Sequence, residues 1–136
     1  MLKIHGDVTR LEAALGHTFN RGELLRQALT HSSATAEAPE LPCNERLEVL
    51  GETVLQMGVT DDMFRHYPDI PEGQLTRMRA AAVSEPSLAK LAERLRLGDY
   101  LIMGKGAGSG KGRRLPSVLS DAMEAVVAAL YLEAGF

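Results

Sequence analysis

Aromatic residues and positive charge are both scarce in this chain. Its 136 residues include three Phe, three Tyr and no Trp. Proteins that bind single-stranded nucleic acid commonly stack the bases on aromatic side chains, so this composition argues against that class. Fifteen Lys and Arg stand against eighteen Asp and Glu, a formal net charge of -3. A uniformly basic nucleic-acid-binding surface is therefore not expected, although local basic patches are compatible with this balance.

Cysteine and long apolar runs are lacking as well. Cys43 is the only cysteine, which excludes an intrachain disulfide and a cysteine zinc cluster. We expect it to be a buried or loop thiol rather than a nucleophile, because no paired histidine stands in a recognisable signature. The first seven residues lack the apolar run of a secretory signal, and no stretch of about eighteen apolar residues could cross a bilayer. These absences predict a cytoplasmic protein without a membrane segment.

The length and the apolar spacing predict one all-α domain over residues 1–136. Hydrophobic residues make up 45% of the chain and charged residues 24%, as in soluble globular domains. Apolar residues recur at three- and four-residue spacing, and alternation rich in Val, Ile and Thr is not sustained. We expect a helix capped by Asp7 to about 15, a helix capped by Asn20 over 22–30, a loop over 31–42, helices over 44–67, 72–82 and 86–97, a glycine-rich loop over 104–112, and a final helix over 116–134 stopped by Gly135.

The long third helix places acid on one face. At about 100° per residue, Glu45, Glu48 and Glu52 fall within an arc of roughly 60°. Leu47, Leu50, Val54 and Met57 occupy the opposite side, which we expect to face the core. These glutamates could be no more than the solvated face of an amphipathic helix. This segment alone leaves both interpretations open.

The final helix is apolar on nearly every side, which is typical of a buried helix. Asp121 and Glu124, three residues apart, then share a face at the core, where an unpaired carboxylate costs free energy or takes up a proton. An arginine could compensate them in a buried ion pair, and a divalent cation could do so using both acids. Ala125 and Ala128 on that face would admit a close neighbour, and the third helix is the candidate. Oxygen ligands without histidine favour Mg²⁺ or Mn²⁺ over zinc.

The histidines and the glycine-rich segment are two further groups of residues that could form sites. The four histidines show no metal-ligand spacing, and we expect surface or capping roles for His5, His17, His31 and His66. The glycine-rich segment departs from the P-loop pattern at Lys105 and Gly112, so no nucleotide cofactor is expected. Its basic side chains could contact RNA phosphates or form a solvated basic turn; they are Lys105, Lys111, Arg113 and Arg114.

Four segments, in this order and spacing, resemble the catalytic domain of ribonuclease III, the endonuclease family that acts on double-stranded RNA. They are Leu-Thr-His-Ser-Ser at 29–33, Asn-Glu-Arg-Leu-Glu-Val-Leu-Gly-Glu at 44–52, Glu-Gly-Gln-Leu-Thr-Arg at 72–77 and Ser-Val-Leu-Ser-Asp-Ala-Met-Glu at 117–124. The resemblance implies a helical bundle that forms a twofold homodimer. It further implies Mg²⁺-dependent hydrolysis of double-stranded RNA to 5′-phosphate ends with short 3′ overhangs, in RNA processing such as maturation of ribosomal RNA precursors.

The resemblance also implies roles for individual residues. Glu48, Asp121 and Glu124 would bind the metal, Glu52 and Glu124 would act in catalysis, and Glu45 would line the site. Family members normally carry Asp where Glu52 stands, and a carboxylate displaced by about 1 Å can cost on the order of a hundredfold in rate. They usually carry Phe where Val49 stands, at the dimer interface. A smaller side chain there buries less apolar area and would weaken the dimer.

The family's appended double-stranded-RNA-binding domain has no counterpart up to Phe136, so we expect a catalytic domain without it. Binding to duplex RNA would then be weak, sensitive to salt and guided by A-form shape. Two rival functions remain. The substitutions at Val49 and Glu52 would suit a nuclease-impaired RNA-binding or scaffold protein of the same fold. A helical protein-interaction module whose acids have no chemical role would not bind RNA at all.

Overall fold

In this computed structural model, which describes residue 4 and residues 6–136, the protein is built from α-helices. The described residues form no named strand, and Thr30 and Ile102 pair as an isolated parallel bridge. The predicted all-α class is confirmed. The helices are α1 Val8–Leu15, α2 Gly22–Ala28, α3 Glu45–His66, α4 Glu72–Ala82, α5 Glu85–Arg94, α6 Lys105–Gly108 and α7 Pro116–Ala134, with 3₁₀ turns at Ser32–Ala36, Leu97–Asp99 and Gly112–Arg114.

Local chemistry explains where the first two helices begin and end. Asp7 caps α1 as predicted, since its side chain accepts a hydrogen bond from the Thr9 N–H at 3.1 Å. The predicted Asn20 cap is wrong: Arg21 holds the cap position of α2, without a side-chain hydrogen bond. This helix ends at Ala28 rather than 30 because Thr30 leaves the helical path to pair with Ile102.

Three other predicted boundaries also change. The loop over 31–42 contains the 3₁₀ turn Ser32–Ala36. The expected helix over 86–97 starts at Glu85, where the Ser84 side chain caps it, and stops at Arg94. It stops there because Arg96 adopts a left-handed conformation with φ 56°. The glycine-rich segment is partly structured, since it contains α6 and ends where the 3₁₀ turn Gly112–Arg114 begins.

Helix α7 lies at the centre of the molecule and packs against α3, α5 and α2. The expectation of a buried final helix is confirmed. Its buried residues are Leu119, Ser120, Ala122, Met123, Ala125, Val126, Ala128 and Ala129. Within the described part of the chain, no helix combines the length and the apolar character that crossing a membrane would require. Cys43 is a half-buried loop residue, as expected.

Helix α3 meets α7 through a face that sequence reasoning predicted only in part, since Leu47 is buried and Leu50 packs against the core as expected. Leu47 and Gly51 are its buried residues, whereas Met57, expected in the core, is 60% exposed. A Cβ atom added at Gly51 would lie 1.7 Å from the Glu124 carbonyl oxygen, so the two backbones are in direct contact there. The core face of α3 is thus rotated towards Gly51, because only glycine permits this approach.

The opposite side of α3 carries an exposed apolar stripe, which we define as Val49, Met57 and Phe64. These side chains are 69%, 60% and 72% exposed. Because they are spaced by eight and seven residues, they fall within about 80° of one another around the helix. An apolar surface concentrated on one helix face is typical of an interaction site.

Replacing Gly51 by alanine tests the contact between the two helices. The added methyl group would overlap the Glu124 backbone, so Gly51→Ala is expected to lower the free energy of unfolding by at least about 3 kcal/mol. Gly58→Ala in the same helix is the matched control, because its Cβ would lie an ordinary 3.4 Å from the Phe136 ring. Alanine's higher helix propensity should make that variant neutral or more stable by up to about 1 kcal/mol. Equal effects in urea denaturation would contradict the close approach.

Candidate metal centre

Three carboxylates converge where α3 and α7 touch. Glu48 lies one turn before Gly51 on α3, and Asp121 and Glu124 lie one turn apart on α7. One oxygen atom from each of the three acids lies within 4.8 Å of the others. We call these three residues the acid cluster. The sequence prediction that the two acidic helices are neighbours is confirmed.

The acid cluster is half-buried, and its electrostatics are unfavourable without a cation. Burial raises the pKa of Glu48 to about 7, and the charges of Asp121, Glu45 and Glu52 contribute to the rise. Burial likewise raises the pKa of Glu124 to about 7, helped by the charges of Glu52, Glu48 and Asp121. An ordinary glutamate ionises near 4.3. The fold therefore favours the protonated form of these two carboxyl groups more strongly than water does.

The side chains of Glu48 and Asp121 lie close enough for a hydrogen bond between them to act on the pKa of each. Burial raises the pKa of Asp121 and the charge of Glu85 adds to this, while a hydrogen bond with Glu48 and the nearby His31 act in the opposite direction. That hydrogen bond acts in opposite directions on the two acids, since it raises the pKa of Glu48 and lowers that of Asp121. Two carboxylates this close repel each other unless a proton or a cation lies between them.

These pKa directions argue against a buried ion pair between the acids and an arginine. A guanidinium beside the acids would favour their charged forms and lower the pKa of each. The pKa of all three is instead raised. The donor set consists of carboxylate oxygens, which hard divalent cations prefer. A cation bound here would offset the repulsion among the three acids and could contact an oxygen atom from each of them.

Glu45 and Glu52 flank the acid cluster without belonging to it. Both side chains are exposed. Their charges nevertheless act on the cluster, since both raise the pKa of Glu48 and Glu52 also raises that of Glu124. Glu52 therefore stands close enough to influence a cation or a water molecule held by the cluster.

His31 lies beside the acids, a position that sequence reasoning did not assign to it. It caps the 3₁₀ turn Ser32–Ala36, in line with the capping role expected of the histidines. Burial lowers its pKa, while the charges of Asp121 and Glu45 act to raise it. The other histidines lie elsewhere: His17 pairs with Glu133, His66 with Asp62 at 3.1 Å, and His5 lies outside the described residues.

The basic side chains of the glycine-rich segment differ in their surroundings. Lys105 and Lys111 are exposed. The half-buried Arg113 donates a hydrogen bond to the Leu101 carbonyl, and Arg114 forms an ion pair with Asp99 at 3.2 Å. Contact of these four side chains with phosphate stays a prediction. The two lysines are more available for it than the two arginines, which have partners within the protein.

Sequence reasoning missed the glycine at the centre of the site. Gly51 carries no chemistry, but it sets the separation of the helices that bear the acids. A glycine inside a helix costs about 1 kcal/mol relative to alanine. A glycine in the interior of a predicted helix therefore suggests a close packing contact, and this signal could have identified Gly51. The fold and the site together define an all-α protein with a carboxylate centre suited to a divalent cation.

The sequence matches a protein-family model over residues 21–136, and that model describes ribonuclease-III-like domains. The chain belongs to this family. Ribonuclease 3 of Oleidesulfovibrio alaskensis is 49% identical over 128 residues, which are 93% of this chain and 56% of that protein. Ribonuclease 3 of Oceanobacillus iheyensis is 46% identical over 132 residues, which are 96% of this chain and 58% of that protein. The chain thus spans less than two thirds of the length of these relatives.

A solved structure supports the same conclusion about the fold. The nuclease domain of ribonuclease III from Campylobacter jejuni superposes with a TM-score of 0.87 at 41% sequence identity, covering 95% of this chain and 87% of that chain. The similarity therefore extends over nearly the whole of both chains.

The raised pKa values predict how pH and metal act on stability. Since both glutamates have a pKa of about 7 in the fold, their neutral forms stabilise it below the ordinary glutamate value, and this contribution is lost as pH rises through 7. The metal-free protein should lose about 1 kcal/mol between pH 5.5 and 8.5, since solvent screens these half-buried groups. Thermal denaturation at the two pH values measures this loss as a fall in Tm of a few degrees.

Two variants test the source of that pH dependence. Glu124→Gln should shrink the fall in Tm between the two pH values and remove most of the stabilisation that Mg²⁺ gives at pH 8.5. Exposed Glu40→Gln is the matched control and should behave like the wild type. A wild-type Tm that Mg²⁺ leaves unchanged at pH 8.5 would contradict a cation site in the acid cluster.

Proposed function

We propose that this chain is the nuclease domain of a Mg²⁺-dependent endoribonuclease that hydrolyses phosphodiester bonds in double-stranded RNA. The observation that carries the proposal is the convergence of Glu48, Asp121 and Glu124 from two helices within 4.8 Å of one another. It occurs in a chain of the ribonuclease-III-like family, and the relatives of known name are ribonucleases. Processing of structured RNA, such as ribosomal RNA precursors, is the role that fits this activity.

The acid cluster fits magnesium through the chemistry of its donors. Mg²⁺ prefers oxygen ligands, keeps several of its waters and is commonly bound through a few carboxylates together with substrate phosphate. The three acids of the cluster, with Glu52 beside them, match that pattern, and Mn²⁺ would be accepted by the same donors. We therefore assign Glu48, Asp121 and Glu124 as ligands. The chemistry that a cation supplies there is activation of water and neutralisation of charge on the phosphate.

The remaining work of the reaction falls to residues of the chain. Water oxygen bonds to phosphorus and the bond to the 3′ oxygen breaks, which leaves a 3′-hydroxyl and a 5′-phosphate. Glu52 is exposed beside the cluster, and we assign it to hold the attacking water. Glu124, whose pKa is about 7, has two proposed roles: it binds the metal and it acts in catalysis. Glu45 lines the approach, where its charge acts on Glu48.

Duplex RNA would contact the protein through few basic groups. The net charge of -3 gives no general attraction for phosphate, so binding depends on local cations such as exposed Lys105 and Lys111. Such contacts position the nucleic acid without reading its bases. Affinity should accordingly be modest and fall with added salt. We place the activity in the cytoplasm, where the lone Cys43 is compatible with reducing conditions.

We also propose that the chain acts as a homodimer. The exposed apolar stripe of Val49, Met57 and Phe64 supports this, because pairing would remove it from water. A twofold axis places the same patch on both subunits and would present two acid clusters to the two strands of one duplex, giving short 3′ overhangs. For the Campylobacter jejuni nuclease domain, a region involved in dimer formation is described as structurally flexible.

Cleavage of labelled duplex RNA in Mg²⁺ tests the proposed activity. The wild type should cut, and Glu124→Gln should lower kcat about 100-fold or more, since a preorganised electrostatic group is lost. Glu40→Gln, on an exposed loop, should retain full activity. A wild type that binds duplex RNA but never cuts it would contradict the proposal.

The Glu52→Asp variant separates the enzyme from a nuclease-impaired protein of the same fold. Aspartate withdraws the carboxylate by about one bond length, which can change the rate by up to about a hundredfold. We expect cleavage by both forms, with a higher kcat for the variant. Cleavage by Glu52→Asp alone would favour the nuclease-impaired RNA-binding function for the natural sequence.

The proposed dimer is tested by placing a charge on the apolar stripe. Val49→Asp should shift the protein towards monomers in analytical ultracentrifugation and reduce double cleavage of one duplex, because a carboxylate would have to be buried. Leu91→Asp on α5 is the control, since Leu91 is 40% exposed and lies away from the stripe. A dimer that survives the Val49 change unaltered would place the interface elsewhere.

A further inference from the structure

The segment from Leu29 to Ser33 forms backbone hydrogen bonds on two sides, to Ile102 on one side and to Asn44 on the other. The Ile102 N–H donates to the Leu29 carbonyl at 2.8 Å, and the His31 N–H donates to the Ile102 carbonyl at 2.9 Å. On its other side, the Asn44 N–H donates to the Thr30 carbonyl at 2.8 Å. Asn44 immediately precedes α3, four residues before Glu48. Residues 29–33 therefore link the start of α3 to the chain that enters the glycine-rich segment 104–112. We call 104–112 the basic segment, because it carries Lys105 and Lys111.

The Ser33 hydroxyl joins two of these parts directly. It accepts a hydrogen bond from the Gly104 N–H at 2.9 Å and lies 2.8 Å from His31 Nδ1. His31 Nδ1 also accepts from the Ser33 N–H at 3.1 Å, so this nitrogen carries no proton. The hydroxyl hydrogen is then directed to Nδ1, and the neutral imidazole carries its proton on Nε2. The Ser33 backbone N–H thus sets the tautomer of His31, and the Ser33 hydroxyl adds a second contact that holds the ring in place. The charges of Asp121 and Glu45 act on this histidine.

The basic segment begins at a tight junction with Ser33. A Cβ atom at Gly104 would lie 2.6 Å from the Ser33 carbonyl oxygen, so the two backbones touch. One residue later, the Lys105 N–H donates to Glu37 Oε1 at 2.7 Å. The first two residues of the segment are therefore held by the 3₁₀ turn Ser32–Ala36 and the residue that follows it.

We propose that Ser33 is a positioning residue for RNA cleavage, whose hydroxyl sets the basic segment at Gly104 and the His31 imidazole in one fixed arrangement beside the acid cluster. The inference rests on the proposed function, because it assigns phosphate contacts to Lys105 and Lys111. Ser33 touches neither the cation nor the RNA in this account. Its loss acts by displacing groups that do, which raises KM for duplex RNA and leaves metal affinity unchanged.

The test compares Ser33→Ala with Ser33→Thr and Thr35→Val. Thr35 is the matched control, because its hydroxyl donates to the Ser32 carbonyl at 2.6 Å within the same 3₁₀ turn rather than to the basic segment. We expect Ser33→Ala to raise KM for duplex RNA about 10-fold, with a smaller effect on kcat. Ser33→Thr, which keeps the hydroxyl, should restore KM, and Thr35→Val should leave it unchanged. The shift in Tm caused by Mg²⁺ should be the same in all four proteins.

A spectroscopic readout follows the network without RNA or metal. Long-range ¹H–¹⁵N spectra of the wild type should show His31 protonated at Nε2. Ser33→Ala keeps the backbone N–H that donates to Nδ1, so it should keep this tautomer but shift the Nδ1 resonance, because the hydrogen bond with the hydroxyl is lost. If the wild type cuts RNA and Ser33→Ala changes neither KM nor the His31 spectrum, the positioning role is overturned. The proposed function would still stand. Equal rises in KM for Ser33→Ala and Thr35→Val would also overturn the positioning role, since a general structural effect would then suffice. A wild type that does not cut would remove the proposed function, and the positioning role with it.

Discussion

The contact between the backbones of α3 and α7 at Gly51 is the constraint on which the site depends. A side chain at this position would meet the Glu124 carbonyl oxygen at 1.7 Å, so any other residue would hold the helices apart. Glu124 is itself the residue contacted, and Glu48 lies one turn before the glycine. The packing that closes the core is therefore the packing that brings the carboxylates together. The interface between α3 and α7 therefore both stabilises the fold and positions the acid cluster.

At that interface three half-buried carboxyl groups repel one another when they are ionised. Burial and mutual repulsion raise the pKa of Glu48 and Glu124 to about 7, and the pKa of Asp121 is raised with them. The surrounding apolar face of α7 stabilises the fold and offsets this repulsion. Perturbed carboxylates of this kind cluster at functional sites, where a charged ligand relieves the strain. A divalent cation bound by all three acids would relieve this repulsion, as proposed above.

Much of this arrangement could be predicted from the residues. The uniformly apolar surroundings of Asp121 and Glu124 indicated a buried helix that carries acid. The spacing on α3 placed Glu48 on an acidic face with Glu45 and Glu52, and the family resemblance singled it out as a ligand. The core face of α3 was misjudged because Met57 counts as apolar, while Gly51 contributes nothing to a hydrophobic pattern. The cap expected at Asn20 failed because a local propensity gave way to the tertiary contacts around α2. The links from Ser33 and Glu37 to Gly104 and Lys105 join residues about 70 positions apart, and no local pattern records such bonds.

The central claim is that Glu48, Asp121 and Glu124 bind a single divalent cation. Anomalous X-ray diffraction from crystals grown with Mn²⁺ tests it most directly, because the scattering of manganese locates the ion independently of the protein atoms. The account predicts one strong peak per subunit within about 2.0–2.3 Å of an oxygen atom from each of the three residues. A site without such a peak at saturating Mn²⁺, or an ion held elsewhere while these carboxylates remain protonated, would contradict it.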